Sequence, residues 1–214
     1  MKNKYIKLIM LIMSVFVLSG CVNIKRDSIE DITKYVISNK RHMINHINRG
    51  YKYYIPRGLS VSYKNDLNEV IRSSKYEYYL YVDLVSYYNK TELKYDIDDT
   101  LYYSKHIKGE DGILNITKKD NKYLIHAEYN YASIEVLVNQ ADLKMAVSNS
   151  LIMISSIEYN NETIRAMLDE GVLALNEKPV NVFKNNDDSK KNDLIEIEDD
   201  NYYEEEDKDR DYIN

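Results

Sequence analysis

A histidine in an alternating segment is the residue best placed for acid–base chemistry. His126 alternates with Leu124 and Glu128 in a stretch whose two-residue period predicts a β-strand. Asp83 and Glu77 lie in a second alternating stretch, so either carboxylate can approach the imidazole if the two strands are neighbours. A histidine oriented by a carboxylate is the usual general base of hydrolases. His126 and Asp83 are therefore the candidate catalytic residues.

Other catalytic and metal-binding patterns are sparse. His42 and His46 are four residues apart, which places them on one face if the segment is helical. No third ligand and no HExxH pattern accompany them, so we expect no metal and no cofactor. The chain also lacks a nucleophile elbow and a phosphate-binding loop. These absences favour a non-catalytic protein.

Tyrosine is the most distinctive residue type of the chain. There are 22 tyrosines against 2 phenylalanines and no tryptophan. The stretch Tyr76–Tyr88 predicts one strand, with Tyr79, Tyr81 and Tyr87 on the face opposite its apolar residues. Exposed tyrosines can stack on sugar rings or anchor a protein interface. They can equally be ordinary sheet residues whose hydroxyls reach water.

A short basic and apolar leader begins the chain. Three lysines stand within the first seven residues, and Leu8–Val17 is apolar except for Ser14. This run is shorter than the roughly 20 residues that a membrane-spanning helix needs. A basic flank followed by a short apolar run is typical of a secretory signal peptide.

The leader ends in Leu18-Ser19-Gly20-Cys21, which resembles the lipobox of bacterial lipoproteins. The resemblance covers residues 1–21 only. It implies that residues 1–20 are removed and that a lipid is attached to the thiol of Cys21. It also implies that the lipid holds the protein on the extracytoplasmic face of the cell membrane. The alternative, an uncleaved anchor with an incidental cysteine, also places the rest of the chain outside the cytoplasm.

The charge of the chain is concentrated at its C-terminal end. The formal net charge is −6, and residues 185–214 contain 13 acidic and 4 basic side chains. Such a segment buries too little apolar surface to fold, so we expect a disordered acidic tail. An acidic chain without a basic face does not suit nucleic acid.

Residues 28–184 are predicted to form a single domain after a tether at 21–27. Ser28 can cap a first helix, whose apolar stripe runs from Ile29 to Ile47 and ends at Gly50. The central region has the alternation and turn residues of an antiparallel sheet, with a hairpin at Lys119–Lys122 and a tight turn near Asn130.

Two more helices are expected near the end of the domain. Asp142–Ile157 has an apolar stripe at helical spacing, and Glu162–Glu170 follows a capping asparagine and precedes Gly171. The predicted fold is therefore α+β. An N-terminal helix precedes an antiparallel sheet of about five to seven strands, and the C-terminal helix pair packs on one face.

The favoured function is that of a lipoprotein that binds an envelope protein or a glycan without catalysis. Exposed tyrosines and the extracytoplasmic location support this hypothesis. A small envelope hydrolase using His126, and a lipoprotein that captures a small ligand, are the alternatives.

Overall fold

A seven-stranded antiparallel sheet dominates the computed structural model, which describes residues 26–39 and 43–173. The strands are β1 (His46–Asn48), β2 (Tyr51–Tyr53), β3 (Ser60–Lys64), β4 (Asn68–Arg72), β5 (Glu77–Val82), β6 (Tyr103–Ile107), β7 (Gly112–Lys119), β8 (Lys122–Tyr129), β9 (Ala132–Asn139) and β10 (Glu158–Tyr159). The helices are α1 (Ile29–Ser38), α2 (Leu84–Asn89), α3 (Leu143–Ser155) and α4 (Asn161–Asp169).

The strand order of the large sheet is β3-β4-β5-β9-β8-β7-β6, and every neighbouring pair is antiparallel. A separate sheet of three short strands has the order β1-β2-β10. The predicted α+β class is confirmed, and the large sheet has the upper number of strands that we expected.

Two tight turns set the register at the centre of the large sheet. The predicted hairpin is confirmed, with Asp120 at the tip in the left-handed region at φ 52°. The next turn has Asn130 and Tyr131 at φ 54° and 60°, the backbone of a type I′ hairpin turn. This geometry pairs Tyr129 with Ala132 and determines every cross-strand neighbour further along.

One face of the large sheet packs against helices and forms the apolar core. Alternate residues point to this inner face and are fully buried, including Leu80 on β5 and Val136 on β9. Helix α3 lies on β8 and β9 and buries its apolar stripe there, while α1 packs against α3. Each such large aliphatic side chain contributes about 1.5–3 kcal/mol when it is fully buried.

Helix α4 extends the same core at one end. It starts after Asn160, whose side chain accepts a hydrogen bond from the Thr163 amide at 3.1 Å. Ile164 and Met167 are its buried side chains, and the helix packs against α2. Both predicted C-terminal helices therefore form.

The first helix is shorter than the apolar stripe predicts. Ser28 caps it as expected and accepts from the Asp31 amide at 3.1 Å, but the helix ends at Ser38. The continuation of the stripe to Ile47 is wrong, because Ile47 is 70% exposed and lies on β1. Gly50 forms the β1–β2 turn at φ 87°, where a side chain would meet Leu84 at 3.0 Å. Pairing with β2 overrides helical periodicity here.

The predicted long strand Tyr76–Tyr88 is also wrong in its second half. Strand β5 ends at Val82, and Asp83 then caps α2 by accepting from the Ser86 amide at 2.8 Å. Lys90 ends this short helix in the left-handed region at φ 55°. A side chain that caps a helix redirects the chain although the alternation of residues continues.

A buried carboxylate joins the small sheet to the large one. Glu69 on β4 has a fully buried side chain, which accepts hydrogen bonds from the Tyr51 and Tyr53 hydroxyls and from Asn48 Nδ2, each at 2.8 Å. His46 Nε2 lies 2.8 Å from Glu69 Oε2, although it is not aligned as a hydrogen bond. Burial, together with the negative charge of Glu69, raises the pKa of both tyrosines above their ordinary value. The carboxylate is stable in the interior because donors surround it.

Removing this carboxylate should loosen the small sheet. We expect Glu69→Leu to lower the free energy of unfolding by about 3–5 kcal/mol, since it leaves buried donors without an acceptor. Glu69→Gln keeps the shape and one acceptor oxygen and should cost less. Urea denaturation followed by circular dichroism measures both.

The matched control is Glu158→Gln, which removes an exposed carboxylate of the same small sheet that pairs with Lys52 at 3.1 Å. It should cost less than about 1 kcal/mol. Equal effects of Glu69→Leu and Glu158→Gln would contradict the role of Glu69.

Candidate functional site

The face of the large sheet that points away from α3 carries a row of polar and aromatic side chains. We call it the outer face and define it by the row Asn115, His126, Glu135 and Tyr79, which are direct cross-strand neighbours on β7, β8, β9 and β5. They reach this face because their sequence neighbours fill the core. The strand order therefore brings residues that are far apart in the sequence together on one surface.

His126 lies between two carboxylates at the centre of the outer face. Its Nδ1 is 2.9 Å from Glu135 Oε1, and its Nε2 is 2.6 Å from Glu128 Oε1. The Glu135 side chain is only 7% exposed, whereas that of Glu128 is 38% exposed. Within the described part of the chain, Glu135 Oε2 is buried and has no hydrogen-bond partner.

The two carboxylates determine the charge state of this histidine. Burial by itself would lower the pKa of His126, but the hydrogen bonds to Glu128 and Glu135 and their negative charges raise it to about 9. The ring is then an imidazolium at neutral pH, and both of its nitrogens donate hydrogen bonds. A ring in this state cannot accept a proton, so the arrangement does not provide a general base.

The carboxylates that the sequence suggested as partners of His126 lie elsewhere. Asp83 is occupied in capping α2, where it accepts from the Ser86 amide at 2.8 Å. Glu77 accepts from the Tyr79 hydroxyl at 2.8 Å and from Arg72 Nε at 3.0 Å. The suggested His126–Asp83 pair is therefore not formed.

Glu135 is the partner that the sequence reasoning missed. The signal for this pair is the tight turn that the sequence predicts near Asn130. A two-residue turn at that point places position 126 directly opposite position 135, as the structure has it. Counting outwards from the turn would have identified the pair.

Only two of the three predicted tyrosines share the outer face. Tyr79 and Tyr81 are half-buried on β5 and lie opposite Glu135 and Ser133 of β9. Tyr87 instead lies on α2, because Asp83 turns the chain into a helix. The predicted three-tyrosine surface is therefore wrong.

Tyr87 belongs to a separate aromatic cluster. Its ring stacks on Tyr159 with a centroid distance of 3.7 Å and meets Tyr131 edge-on at 5.7 Å. Lys90 Nζ lies 3.9 Å from the centre of the Tyr87 ring, in cation–π geometry. This cluster packs at the end of the sheet where the β8–β9 turn lies.

The histidine spacing does not produce a shared helical face. His46 is on β1 next to Glu69, while His42 lies outside the described residues. Across residues 26–39 and 43–173, no three histidine, cysteine or acidic side chains are grouped so as to hold a metal ion.

Two regions singled out in the sequence fall outside the described residues. These are the leader with Cys21 and the acidic segment 185–214. None of the helices in the described part of the chain is long and apolar enough to cross a membrane.

Comparison with known proteins adds no family to this description. No protein-family model matches the chain, and no curated protein matches it significantly.

The charge of His126 predicts how stability depends on pH. A pKa raised from 6.5 to about 9 stabilises the folded state fully below pH 6.5, and this contribution is lost as pH rises through 9. The side chain is 23% exposed, so the full effect is on the order of 3 kcal/mol. We expect the free energy of unfolding of the wild type, relative to His126→Gln, to fall between pH 6.5 and 9.5.

Asn115→Ala is the control, because Asn115 is the direct cross-strand neighbour of His126 on β7 and has no titratable group. Its stability curve should stay parallel to that of the wild type. If the free energies of unfolding of His126→Gln and the wild type change in parallel with pH over this range, a stabilising imidazolium is ruled out.

Proposed function

We propose that the protein is a lipid-anchored, extracytoplasmic binding module of the bacterial cell envelope, and that its outer face holds a glycan without altering it. The observation that carries the binding role is the charged cluster of His126, Glu128 and Glu135 on the same sheet face as two half-buried tyrosines, Tyr79 and Tyr81. The lipobox resemblance at Leu18–Cys21 supports the anchor and the location.

The chemistry of the outer face suits a sugar better than an apolar protein surface. A sugar ring offers a C–H face that packs on an aromatic ring and hydroxyls that need fixed polar partners. Tyr79 and Tyr81 supply the rings, and Glu128, whose side chain is 38% exposed, supplies an acceptor that a sugar hydroxyl can reach. The most exposed large apolar side chains, such as Met43 and Ile47, lie on other elements or loops, which makes a protein interface at this face less favourable.

The state of the histidine supports binding without hydrolysis. Both ring nitrogens are engaged, and the raised pKa keeps the ring protonated at neutral pH. General-base hydrolysis by His126 therefore has no support in this geometry. A rigid row of charged side chains is suited to orienting the hydroxyl groups of a sugar, since the hydrogen bonds within the row hold it in place.

Lipid attachment is tested with two matched variants expressed in a bacterial host. Cys21→Ala should abolish incorporation of labelled palmitate and partition into a detergent phase, because no other cysteine exists to accept the lipid. Ser19→Ala keeps a small residue at the junction and should behave as wild type. A Cys21→Ala protein that is still labelled would contradict the anchor.

Glycan binding is tested by cosedimentation with isolated cell-wall glycan strands. We expect Tyr79→Ser/Tyr81→Ser to bind about 10-fold more weakly, because two rings leave the outer face. Tyr35→Ser/Tyr102→Ser removes two exposed tyrosines, one on α1 and one just before β6, and should bind normally.

The same samples separate this proposal from its competitors. Release of new reducing ends from the strands would indicate hydrolysis instead of binding. Unchanged binding by the Tyr79/Tyr81 variant would exclude the outer face as the glycan site.

A further inference from the structure

The two most exposed large hydrophobic side chains of the described residues lie on one edge of the small sheet. Met43 is 75% exposed and Ile47 is 70% exposed, whereas the next in order, Tyr102, is 53% exposed. Strand β1 is an edge strand of the order β1-β2-β10, and the Asn45 amide donates to the Tyr53 carbonyl at 3.3 Å, which extends this pairing towards Met43. An edge strand with exposed apolar side chains is a surface to which another apolar surface can attach.

Met43 and Ile47 project from the same side of this extended segment. Exposed and half-buried residues alternate from position 43 to position 49. Side chains alternate along a strand, so residues four apart point the same way and lie about 13 Å apart. His46 and Asn48, the alternate residues, point inwards towards Glu69. We call the solvent-facing pair Met43 and Ile47 the apolar edge.

The charges around the apolar edge suit an anionic surface. Residues 40–49 contain three basic and no acidic side chains, and one of the three, Arg49, pairs with Glu170 at 2.9 Å. The carboxylate of Glu158 on β10, in the same small sheet, is matched by Lys52 at 3.1 Å. Basic residues beside exposed apolar ones are typical of protein segments that lie on anionic lipid.

The proposed lipid anchor keeps this edge near a membrane. Five peptide units separate Cys21 from Arg26, the first described residue, so the two lie at most about 18 Å apart. Helix α1 spans about 15 Å, and the apolar edge begins five residues after the helix ends at Ser38. A domain that is anchored so closely can bring the apolar edge onto the bilayer.

We propose that the apolar edge docks on the bilayer that carries the Cys21 lipid, with Met43 and Ile47 inserted among the headgroups. The inference rests on the lipid anchor of the proposed function and uses none of the side chains of the glycan site. Glu69 contacts the small sheet from the inner face of the large sheet. Docking through the small sheet therefore leaves the outer face turned away from the membrane, towards the rest of the envelope.

Tryptophan is the probe for the test, because the chain has none of its own. The lipidated full-length protein is reconstituted into vesicles of phosphatidylglycerol and phosphatidylcholine, with or without bromine on the upper acyl chains of the phosphatidylcholine. We expect Ile47→Trp to lose about half of its fluorescence in the brominated vesicles, since bromine quenches a ring that lies among the chains. The matched control is Tyr63→Trp, an exposed position that pairing with Val70 places on the outer face. It should lose less than about a tenth of its fluorescence.

A second variant tests whether the apolar character of the edge carries the contact. Adding Met43→Asp to Ile47→Trp should reduce the quenching about threefold, because a carboxylate is repelled by anionic headgroups and is costly to bury. Unchanged quenching in this double variant would overturn the docking.

Flotation of the same vesicles on a density gradient separates failure of the docking from failure of the anchor. Loss of flotation would overturn the anchor and the docking together. Flotation with equal quenching at positions 47 and 63 would overturn the docking alone. A blue-shifted emission at position 47 that bromine does not quench would indicate that a second copy of the chain covers the edge, and would overturn docking on lipid.

Discussion

Covering one face of the large sheet with α3 is the constraint on which the rest of the molecule depends. Side chains alternate along a strand, so filling the inner face with residues such as Leu80 and Val136 forces their neighbours outwards. The turn at Asn130 and Tyr131 then decides which outward residues meet. A slip of one residue would bury Glu135 in the core and expose Val136, so the apolar core enforces the polar row on the other side.

Hydrogen bonds between charged side chains hold the centre of the polar row together. Two carboxylates fix the orientation of His126 and keep it protonated, and one of them is almost completely buried. Such a cluster is costly to desolvate unless its members stay paired. The same pairing that makes it stable removes the free nitrogen that catalysis would need. These features support the proposal that this face binds a ligand without catalysis.

The small sheet also depends on a charged side chain that hydrogen bonds keep stable away from water. Glu69 introduces a carboxylate into the interior, and the hydroxyls of Tyr51 and Tyr53 satisfy it there. The β1–β2 turn at Gly50 packs so closely on Leu84 and Ile164 that a side chain does not fit without displacement. The hydrogen bonds to Glu69 therefore attach this sheet to the domain on one side. Close apolar packing around Gly50 attaches it on the other.

Local sequence alone determined the α+β class, the central hairpins, α3, α4 and the cap at Ser28, because each depends on periodicity or on turn residues within a few positions. Tertiary structure decided the rest. His46–Asn48 became a strand because it pairs with β2, and the tyrosine at 87 left the outer face because Asp83 caps α2. The partner of His126 is Glu135 because two strands are in register, a relation between distant residues that local periodicity does not contain.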